Sequence, residues 1–558
     1  MKRTFVLGIF NIALVAALGA CESTDDGSGG TGAIGFSGAG AGTGGAPVGG
    51  SIGPSGGTSG LAGTTAGSGP GTTAGGAPAG GAGIGGSSGG VAPTGGAGGA
   101  VGGSGGAVGG AGGATGGAGG APGGTPKVAV KPRVIATTDG ELDDTSSMNR
   151  FLIYASDYDV AGIVQVNSRF QKGGHSKDKW IEAQIAEYAK CLPNLRKHRP
   201  DYPDAEYLLS VLKAGNENAG DLGNPPPTLS HSEGAQLIID ALLDEDPRPV
   251  HILAWGGANT QANALWQIKE KHSAADYQKA AEKARLYCIW FQDVGGEWIV
   301  DNLPEIKIYG AGRPSENASW RYVWDYMSVA GKYKGRGSEN PPELQEIMDT
   351  PWLNENVKTG HGPLGAAYTQ DYTSEGDTPS FMPLIDNGLE HHLDYTLGGW
   401  GGRAVYASGN YMEDGADENE SGETDAHWTF QRWLRAAQND WASRNDWCVA
   451  ERFEDANHQP DARVAGELIS TVAGGSTVTL DASPTTDPDG DVLTFKWWQY
   501  HEADSADAKI TITNPDAQTG ASFAVPNESG KQVHVILEVI DNGSPPLTRY
   551  QRLIFNIN

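Results

Sequence analysis

Cysteine is scarce in this chain: four residues in 558, at Cys21, Cys191, Cys288 and Cys448. No CxxC pair occurs, which excludes a zinc ribbon and a thioredoxin-like redox motif. In an oxidising compartment the last three allow one disulfide, with one thiol left over. Positive charge is also short, with 39 Lys and Arg against 67 Asp and Glu and a formal net charge of −28. That balance argues against nucleic-acid binding, which wants basic surface. It serves solubility and leaves carboxylates available for a cation. Long apolar runs are missing apart from Phe5 to Leu18, which is too short to span a bilayer comfortably as a permanent helix. Aromatic residues are absent between Phe36 and Pro126, and all 15 tryptophans lie from Trp180 onward.

What is present at the start is a short positive end, Met1-Lys2-Arg3, then the apolar run, then Leu18-Gly19-Ala20-Cys21. The last four residues resemble the lipobox of bacterial lipoproteins. Small residues before the cysteine suit a peptidase, and the thiol is needed because a thioether carries the lipid. A multiply acylated Cys21 anchors stably where a single chain does not. The resemblance implies a signal peptide over 1–21 and an exported protein, lipid-anchored to the cell envelope at the outer membrane or cell surface. Residues 22–127 are almost wholly Gly, Ala, Ser, Thr and Pro. Such a segment cannot bury enough apolar surface to offset its ordering entropy, so it is expected to be a disordered linker. About 100 Gly-rich residues span roughly 50–60 Å, a reach suited to displaying a folded part beyond surface polysaccharide.

Two textures follow. Over 128–450 short apolar strands alternate with helical patterns. Val134 to Ala136, Val160 to Val166, Val250 to Trp255, Leu286 to Phe291 and Ile306 to Tyr309 read as strands. Met148, Phe151, Leu152 and Ala155 recur at helical spacing, and further helices are expected from Trp180, over Ala235 to Leu243 and over Asn259 to Lys271. This alternation predicts an α/β domain with a Rossmann-like, mainly parallel sheet covered on both faces, whose sites lie at the carboxyl ends of strands. Over 459–558 short strand candidates (Val478 to Leu480, Val492 to Tyr500, Ile510 to Ile512, Phe523 to Val525, Val533 to Ile540, Leu553 to Ile557) are separated by turns such as Asp487-Pro488-Asp489-Gly490. They predict an all-β, Ig-like sandwich. Adjacent Trp497 and Trp498 must face opposite sides of one strand, one in the core and one partly exposed.

The chemistry concentrates in Thr137-Thr138-Asp139-Gly140-Glu141-Leu142-Asp143-Asp144, where four carboxylates in six residues separate a buried strand from a helix. Like charges so close are unfavourable unless something positive joins them. A helix N-terminus helps, and a hard cation such as Ca²⁺, which takes six to eight oxygens, helps more. A solvated acidic turn that caps its helix fits the residues equally well.

The motif resembles the nucleoside hydrolase signature, Asp-Thr-Asp-Pro-Gly-x-Asp-Asp, at the same strand–turn–helix position. Asp139, Asp143 and Asp144 match three of its four aspartates; Thr137 replaces the leading one, and Gly140-Glu141 replaces Pro-Gly. The resemblance implies that Asp139 and Asp144 ligate Ca²⁺, that Asp139 is also the base for the attacking water, and that Asp143 holds a sugar hydroxyl. Trp255-Gly256-Gly257-Ala258-Asn259 looks like the family's Gly-Gly element, where the carbonyl before the glycines, here that of Trp255, completes the metal shell. Asp377, in a second acidic loop, is the candidate fourth ligand, with Gly376 where the family has His; Glu375 competes with it. Together with Gly399-Trp400-Gly401-Gly402-Arg403 and Gln438-Asn439-Asp440-Trp441-Ala442, these motifs look like a group of secreted proteins, described as cellulose-binding, with a nucleoside hydrolase-like domain and a C-terminal Ig-like domain.

Other residues carry weaker signals. Asn167 stands where the family has a sugar-binding Asn, though an Asn capping a loop fits as well. Asp293 and Glu297 follow a strand end from which they could reach a sugar. His175 and His361 are candidate acids for a leaving group. Trp400 between glycine pairs would either present an aromatic face to polysaccharide or pack beside a tight turn. The expectation is a surface-anchored, Ca²⁺-dependent hydrolase of N-glycosyl (nucleoside-like) or related glycosidic bonds. The alternative is a non-catalytic cellulose- or polysaccharide-binding lipoprotein on the same scaffold. Related hydrolases are commonly oligomeric, so a homo-oligomer is an expectation too.

Overall fold

The computed structural model describes residues 130–310, 327–328 and 341–558. Cys21 and the stretch expected to be a linker lie outside the described residues. The first strand, β1 (Arg133–Thr138), is buried along its whole length, as a central strand of a parallel sheet covered on both faces must be. Its side chains divide by period two. Val134 and Ala136 enter one hydrophobic core with Phe151, Ile185 and Trp255, and Ile135 enters another with Ala235, Ile252 and Leu265.

Five more strands run parallel to β1: β2 (Asp159–Gln165), β3 (Leu212–Ala214), β4 (Val250–Ala254), β5 (Ala284–Cys288) and β6 (Lys307–Gly310). Beyond a further short pair, β7 (Met327–Ser328) with β8 (Ser374–Glu375), a hairpin of β9 (Ala404–Ser408) and β10 (Tyr411–Asp414) closes the edge, β10 parallel to β6 and antiparallel to β9. The resulting order is β3-β2-β1-β4-β5-β6-β10-β9. The first six follow the doubly wound pattern, whose direction reverses between β1 and β4. Helices α1 (Leu142–Ile153) and α2 (Trp180–His198) lie with the first core, as does Leu434–Trp447 further on. Helices α4 (Glu233–Leu243), α5 (Asn259–Lys271), α6 (Ala274–Lys283) and α7 (Gly295–Asn302) lie with the second, after the short α3 (Ala205–Ser210). Local sequence explains the starts: Ser232 accepts the Ala235 N–H at 3.1 Å, and Ser273 with Asp276 forms a capping box. We number Leu434–Trp447 α8.

The C-terminal strands are β11 (Ile469–Val472), β12 (Thr477–Asp481), β13 (Thr494–Gln499), β14 (Thr519–Ala524), β15 (Gln532–Ile540) and β16 (Thr548–Ile557). A sheet ordered β11-β16-β15-β13 faces the pair β12-β14 across a core of Leu480, Trp497, Phe523, Val535 and Phe555. Trp497 is buried and Trp498 half-buried, as the alternation requires. Ile510 to Ile512 is not a strand. The Ile510 N–H is taken by the Gln499 side chain at 2.7 Å, so a side chain replaces the ladder there.

Both domains belong to one compact unit. Trp433 packs against Trp498, Tyr500 and Tyr550 of the sandwich with centroids 5.3–5.9 Å apart. Arg552 donates to the carbonyls of Leu389, Leu397 and Gly398 at 2.8–2.9 Å. Cys191, Cys288 and Cys448 are buried free thiols. Cys191 and Cys448 meet at Gly362, where an added Cβ would lie 3.3 Å from Cys191 Sγ and 3.0 Å from Cys448 Cβ. Among the described residues no helix is long and apolar enough to cross a membrane.

Candidate functional site

The acidic motif sits at the carboxyl edge of the sheet, where the order reverses. Asp139 directly follows β1, and Asp143 and Asp144 lie in the first turn of α1, where helix N–H groups favour negative charge. Asp377, more than 230 residues later, follows β8 and joins them. The four are 1, 6, 2 and 2% exposed in that order. Carboxylate oxygens of Asp143, Asp144 and Asp377 lie within 4.8 Å of one another.

Little neutralises this charge. Asp144 accepts from the Thr138 hydroxyl and from the Asp139 N–H, the latter at 3.2 Å. Ser168 lies near enough to pull the Asp139 pKa down, yet neither Asp139 oxygen has a donor at hydrogen-bonding geometry, and Asp377 Oδ2 has none either. Burial pushes Asp139 upward. It raises Asp144 and Asp377 too, reinforced in Asp377 by the charges of Asp144, Asp143 and Asp139. Glu141, half-buried, is pushed up to about 8 by burial and by Asp143 and Asp139. Buried carboxylate oxygens without donors cost several kcal/mol unless a cation or proton joins them. A set of hard oxygens in this arrangement fits Ca²⁺.

The Gly-Gly element lets the β4 end approach the acidic turn. A Cβ on Gly256 would fall 2.8 Å from Asp139 Cβ, and one on Gly257 2.2 Å from Asp293 Oδ2. The Trp255 indole donates to Ser380 Oγ at 2.8 Å, which donates to the Asp377 carbonyl at 2.7 Å. This relay couples β4 to the loop that delivers Asp377. The Trp255 carbonyl already accepts from Gln292 Nε2 at 2.5 Å, so any ligand role there would use its second lone pair. Thr137, in place of the family's leading Asp, donates to the Leu253 carbonyl at 3.0 Å and accepts from Gln261 Nε2 at 2.7 Å. It joins β1, β4 and α5.

The remaining expected residues divide. Glu375 is not a free competitor for a cation. It is fully buried against Arg150 of α1, 2.5 Å from Nε, and also accepts from Tyr368 and Thr378, each at 2.8 Å. Asp293 has both oxygens engaged, Oδ2 by the Asn259 N–H and Oδ1 by the Gly295 N–H, each at 2.8 Å. It thus caps α5 and α7 and, burial prevailing over those bonds, is raised to about 6. Glu297 is half-buried in the first turn of α7. Asn167 is buried and its amide holds the Lys172 carbonyl at 3.1 Å, the loop-capping alternative. His175 stands at the rim: its Cβ would be 3.1 Å from a Cβ on Gly140, and Asp178 and Gln171 hold its ring. His361 is engaged with Asp446 at 2.8 Å. Trp400 is fully buried, because the glycines around it serve domain docking; a Cβ on Gly398 would fall 2.3 Å from the Tyr500 hydroxyl. Sequence reading missed Ser168, Gln292 and Ser380, neutral residues whose roles depend on contacts across the fold.

Comparisons with known proteins agree with this architecture. Residues 133–404 match the family described as "Cellulose-binding Sde182, nucleoside hydrolase-like domain". Residues 477–557 match "Cellulose-binding protein Sde0182, C-terminal domain". No curated protein is matched. A solved structure from Saccharophagus degradans, described as a nucleoside hydrolase-related hypothetical protein associated with carbohydrate metabolism, is 31% identical, covering 77% of this chain and 100% of its own, with a TM-score of 0.64. A plant nucleoside hydrolase is 15% identical over 46% of this chain and 79% of its own, with a TM-score of 0.27, too distant to bear on the argument. The chain therefore belongs to the cellulose-binding Sde182 family, whose nucleoside hydrolase-like domain is followed by a C-terminal domain of its own.

Proposed function

We propose that the chain is an exported, lipid-anchored hydrolase acting on an N-glycosyl or related glycosidic bond, with Ca²⁺ in the acidic pocket. The observation that carries this reading is the set of buried carboxylates at the strand-order reversal, with donorless oxygens on Asp139 and Asp377. Asp144, Asp377, Asp139 and the Trp255 carbonyl would hold the ion, and Asp143, inside the same cluster, would divide its oxygens between ion and sugar. When bound, Ca²⁺ supplies charge neutralisation and a template for oxygen ligands.

The chain's own groups do the rest. Asp139, pressed against Gly256 and lacking donors, takes the proton from a water that attacks the anomeric carbon. The surrounding carboxylates stabilise the oxocarbenium-like charge that develops. The Trp255–Ser380–Asp377 relay keeps the second acidic loop in place. His175, at the rim of the acidic turn, is the group best placed to protonate a leaving base. The test is hydrolysis of a panel of nucleosides and aryl glycosides by wild type and Asp139→Asn. Loss of turnover by at least 10³-fold in the variant is expected for removal of a general base with its metal contact. Equal turnover in both proteins, on a substrate that the wild type cleaves, overturns the mechanism.

A second reading is a polysaccharide-binding protein whose pocket is structural. The family description, cellulose-binding, favours it. Retention on insoluble cellulose that is unaffected by Asp139→Asn, with no turnover on any glycoside, would establish it.

A further inference from the structure

The three buried thiols differ in their surroundings. Cys288, at the end of β5, lies in the core with Ile252, Leu286 and Ile308. Burial pushes its thiol up, and it serves there as a small apolar side chain. Cys191, within α2, and Cys448, directly after α8, lie together in the other core. The sheet stands between them and Cys288.

Cys191 and Cys448 meet although they are far apart in sequence. Gly362, with a φ of +88°, stands between them, and a Cβ there would fall 3.3 Å from Cys191 Sγ and 3.0 Å from Cys448 Cβ. Both cysteines thus border the space of a single missing methyl group. One turn after Cys191, Asn194 Nδ2 donates to the Cys448 carbonyl at 3.2 Å, so α2 also holds the main chain of Cys448. His361, next to Gly362, is held at 2.8 Å by Asp446, two residues before Cys448. These contacts fix the two thiols side by side. The Cys448 thiol donates to the Cys191 sulfur, a bond that draws Cys191 below the ordinary thiol range and, with burial, pushes Cys448 well above it. Cys191 is therefore the readier nucleophile of the two.

We propose that Cys191 and Cys448 are joined by a disulfide in the exported protein, an inference that rests on the export reading for its oxidising compartment. Cys191 gives up its proton and attacks one sulfur of an external low-molecular-weight or protein disulfide, whose other sulfur leaves as a thiolate. Cys448, deprotonated in turn, attacks the Cys191 sulfur of the mixed disulfide and expels the second thiolate. Two cysteine thiols are oxidised, the external disulfide is reduced to two thiols, and the leaving thiolates take up the two protons. The bond ties α2 to the end of α8, from which the chain runs to Asn457, whose carbonyl accepts from Ser443 Oγ and Trp447 Nε1 of α8 at 2.7 and 3.0 Å. Closing so long a loop restricts the unfolded chain and favours the folded one.

The test is a peptide map of the full chain, purified under reductant and then brought to equilibrium in glutathione and glutathione disulfide with a disulfide isomerase present. Free thiols are blocked with N-ethylmaleimide, and the chain is digested with trypsin without reduction. Peptides 191–196 and 445–452 are expected to be joined, with Cys288 blocked as a free thiol. Reductant should separate them and lower the urea midpoint of the wild type, while leaving that of Cys191→Ser unchanged. Recovery of the two peptides separately blocked, or joined to glutathione or to another cysteine, overturns the pairing. The same map on chain taken from the envelope of the cells that make it separates this inference from the export reading. Peptides joined in buffer but reduced in the cell refute the oxidising location and leave the pairing standing.

Discussion

Asp377→Asn inverts the usual effect of altering a buried residue, because the acidic pocket is destabilised by its own charge. Carboxylate oxygens of Asp143, Asp144 and Asp377 lie no more than 4.8 Å apart, so each charged pair repels by about 3.5 kcal/mol at an effective dielectric of about 20. Proton uptake limits this cost, since burial and mutual repulsion hold the Asp377 and Asp144 pKa values well above the ordinary range. The relief left for Asp377→Asn in cation-free protein is then about 1–3 kcal/mol. With Ca²⁺ at a hundred times its dissociation constant, one site adds about 2.7 kcal/mol to the wild type, and the variant forfeits that share. Urea unfolding followed by tryptophan fluorescence, first in EGTA and then in Ca²⁺, measures both. The variant is expected to be more stable than wild type in EGTA, with the order reversed in Ca²⁺. A variant less stable in EGTA by more than about 1 kcal/mol, with an unchanged response to Ca²⁺, would refute the electrostatic reasoning.

Three further outcomes are expected. Ser380→Ala, which removes the bridge between the Trp255 indole and the Asp377 carbonyl, should weaken Ca²⁺ binding at the pocket about 10-fold while keeping every proposed ligand, read by calorimetric titration beside the wild type. Asp440→Asn should destabilise by about 3–5 kcal/mol, since Asp440 bonds Arg444 and the sandwich residue Arg549 at 2.8 Å each and all three are buried. Burial alone would raise Asp440, but Arg549 and Arg444 together hold it well below the usual range; its folded pKa is thus depressed, so the wild type keeps this stability above about pH 4 and loses it as pH falls further, a loss that the variant should lack in acid titrations. Trp400→Ala should cost about 3–5 kcal/mol of stability with no loss of cellulose retention once the folded fraction is corrected for, because a fully buried ring presents no face to a glucan.

Legibility followed the range of the contacts. The strand–turn–helix carrying Asp139 is local, and period-two and helical spacing place β1, α1 and α5 at their observed positions. Asp377 was singled out as the carboxylate from distant sequence that would join the acidic turn, and the fold brings it beside Asp143 and Asp144. Its neighbour Glu375 could not be separated from it in the same way. What decides its fate is Arg150, 225 residues earlier, and nothing near Glu375 in sequence announces that partner. Asp293 shows the same limit: an acidic residue after a strand reads as a possible sugar contact, but the N-termini of α5 and α7 converge on it only in the fold. Trp400 between glycines suggested an exposed ring as readily as a packed one. The glycines are there because Tyr500 and Pro383 approach within 2.3 and 2.6 Å of where a Cβ would stand on Gly398 and Gly401.

The same contacts decide what kind of element the C-terminal sandwich is. A spacer would meet its neighbour through a few solvated side chains and leave the α/β domain complete without it. Here Tyr550 donates its N–H to the Asn387 carbonyl at 2.8 Å and Arg552 its N–H to Gly388 at 3.0 Å, so β16 lends main-chain bonds to the loop that follows Asp377. Arg552 then satisfies three carbonyls of the segment leading into the Trp400 turn, and Arg549 neutralises Asp440 on α8. Carbonyls and a buried carboxylate of the α/β domain are therefore completed by the sandwich, and leaving them buried without those partners would cost roughly 1–3 kcal/mol for each group left unsatisfied. The loop that supplies Asp377 inherits that support, so the acidic pocket depends on a domain that contributes no ligand to it.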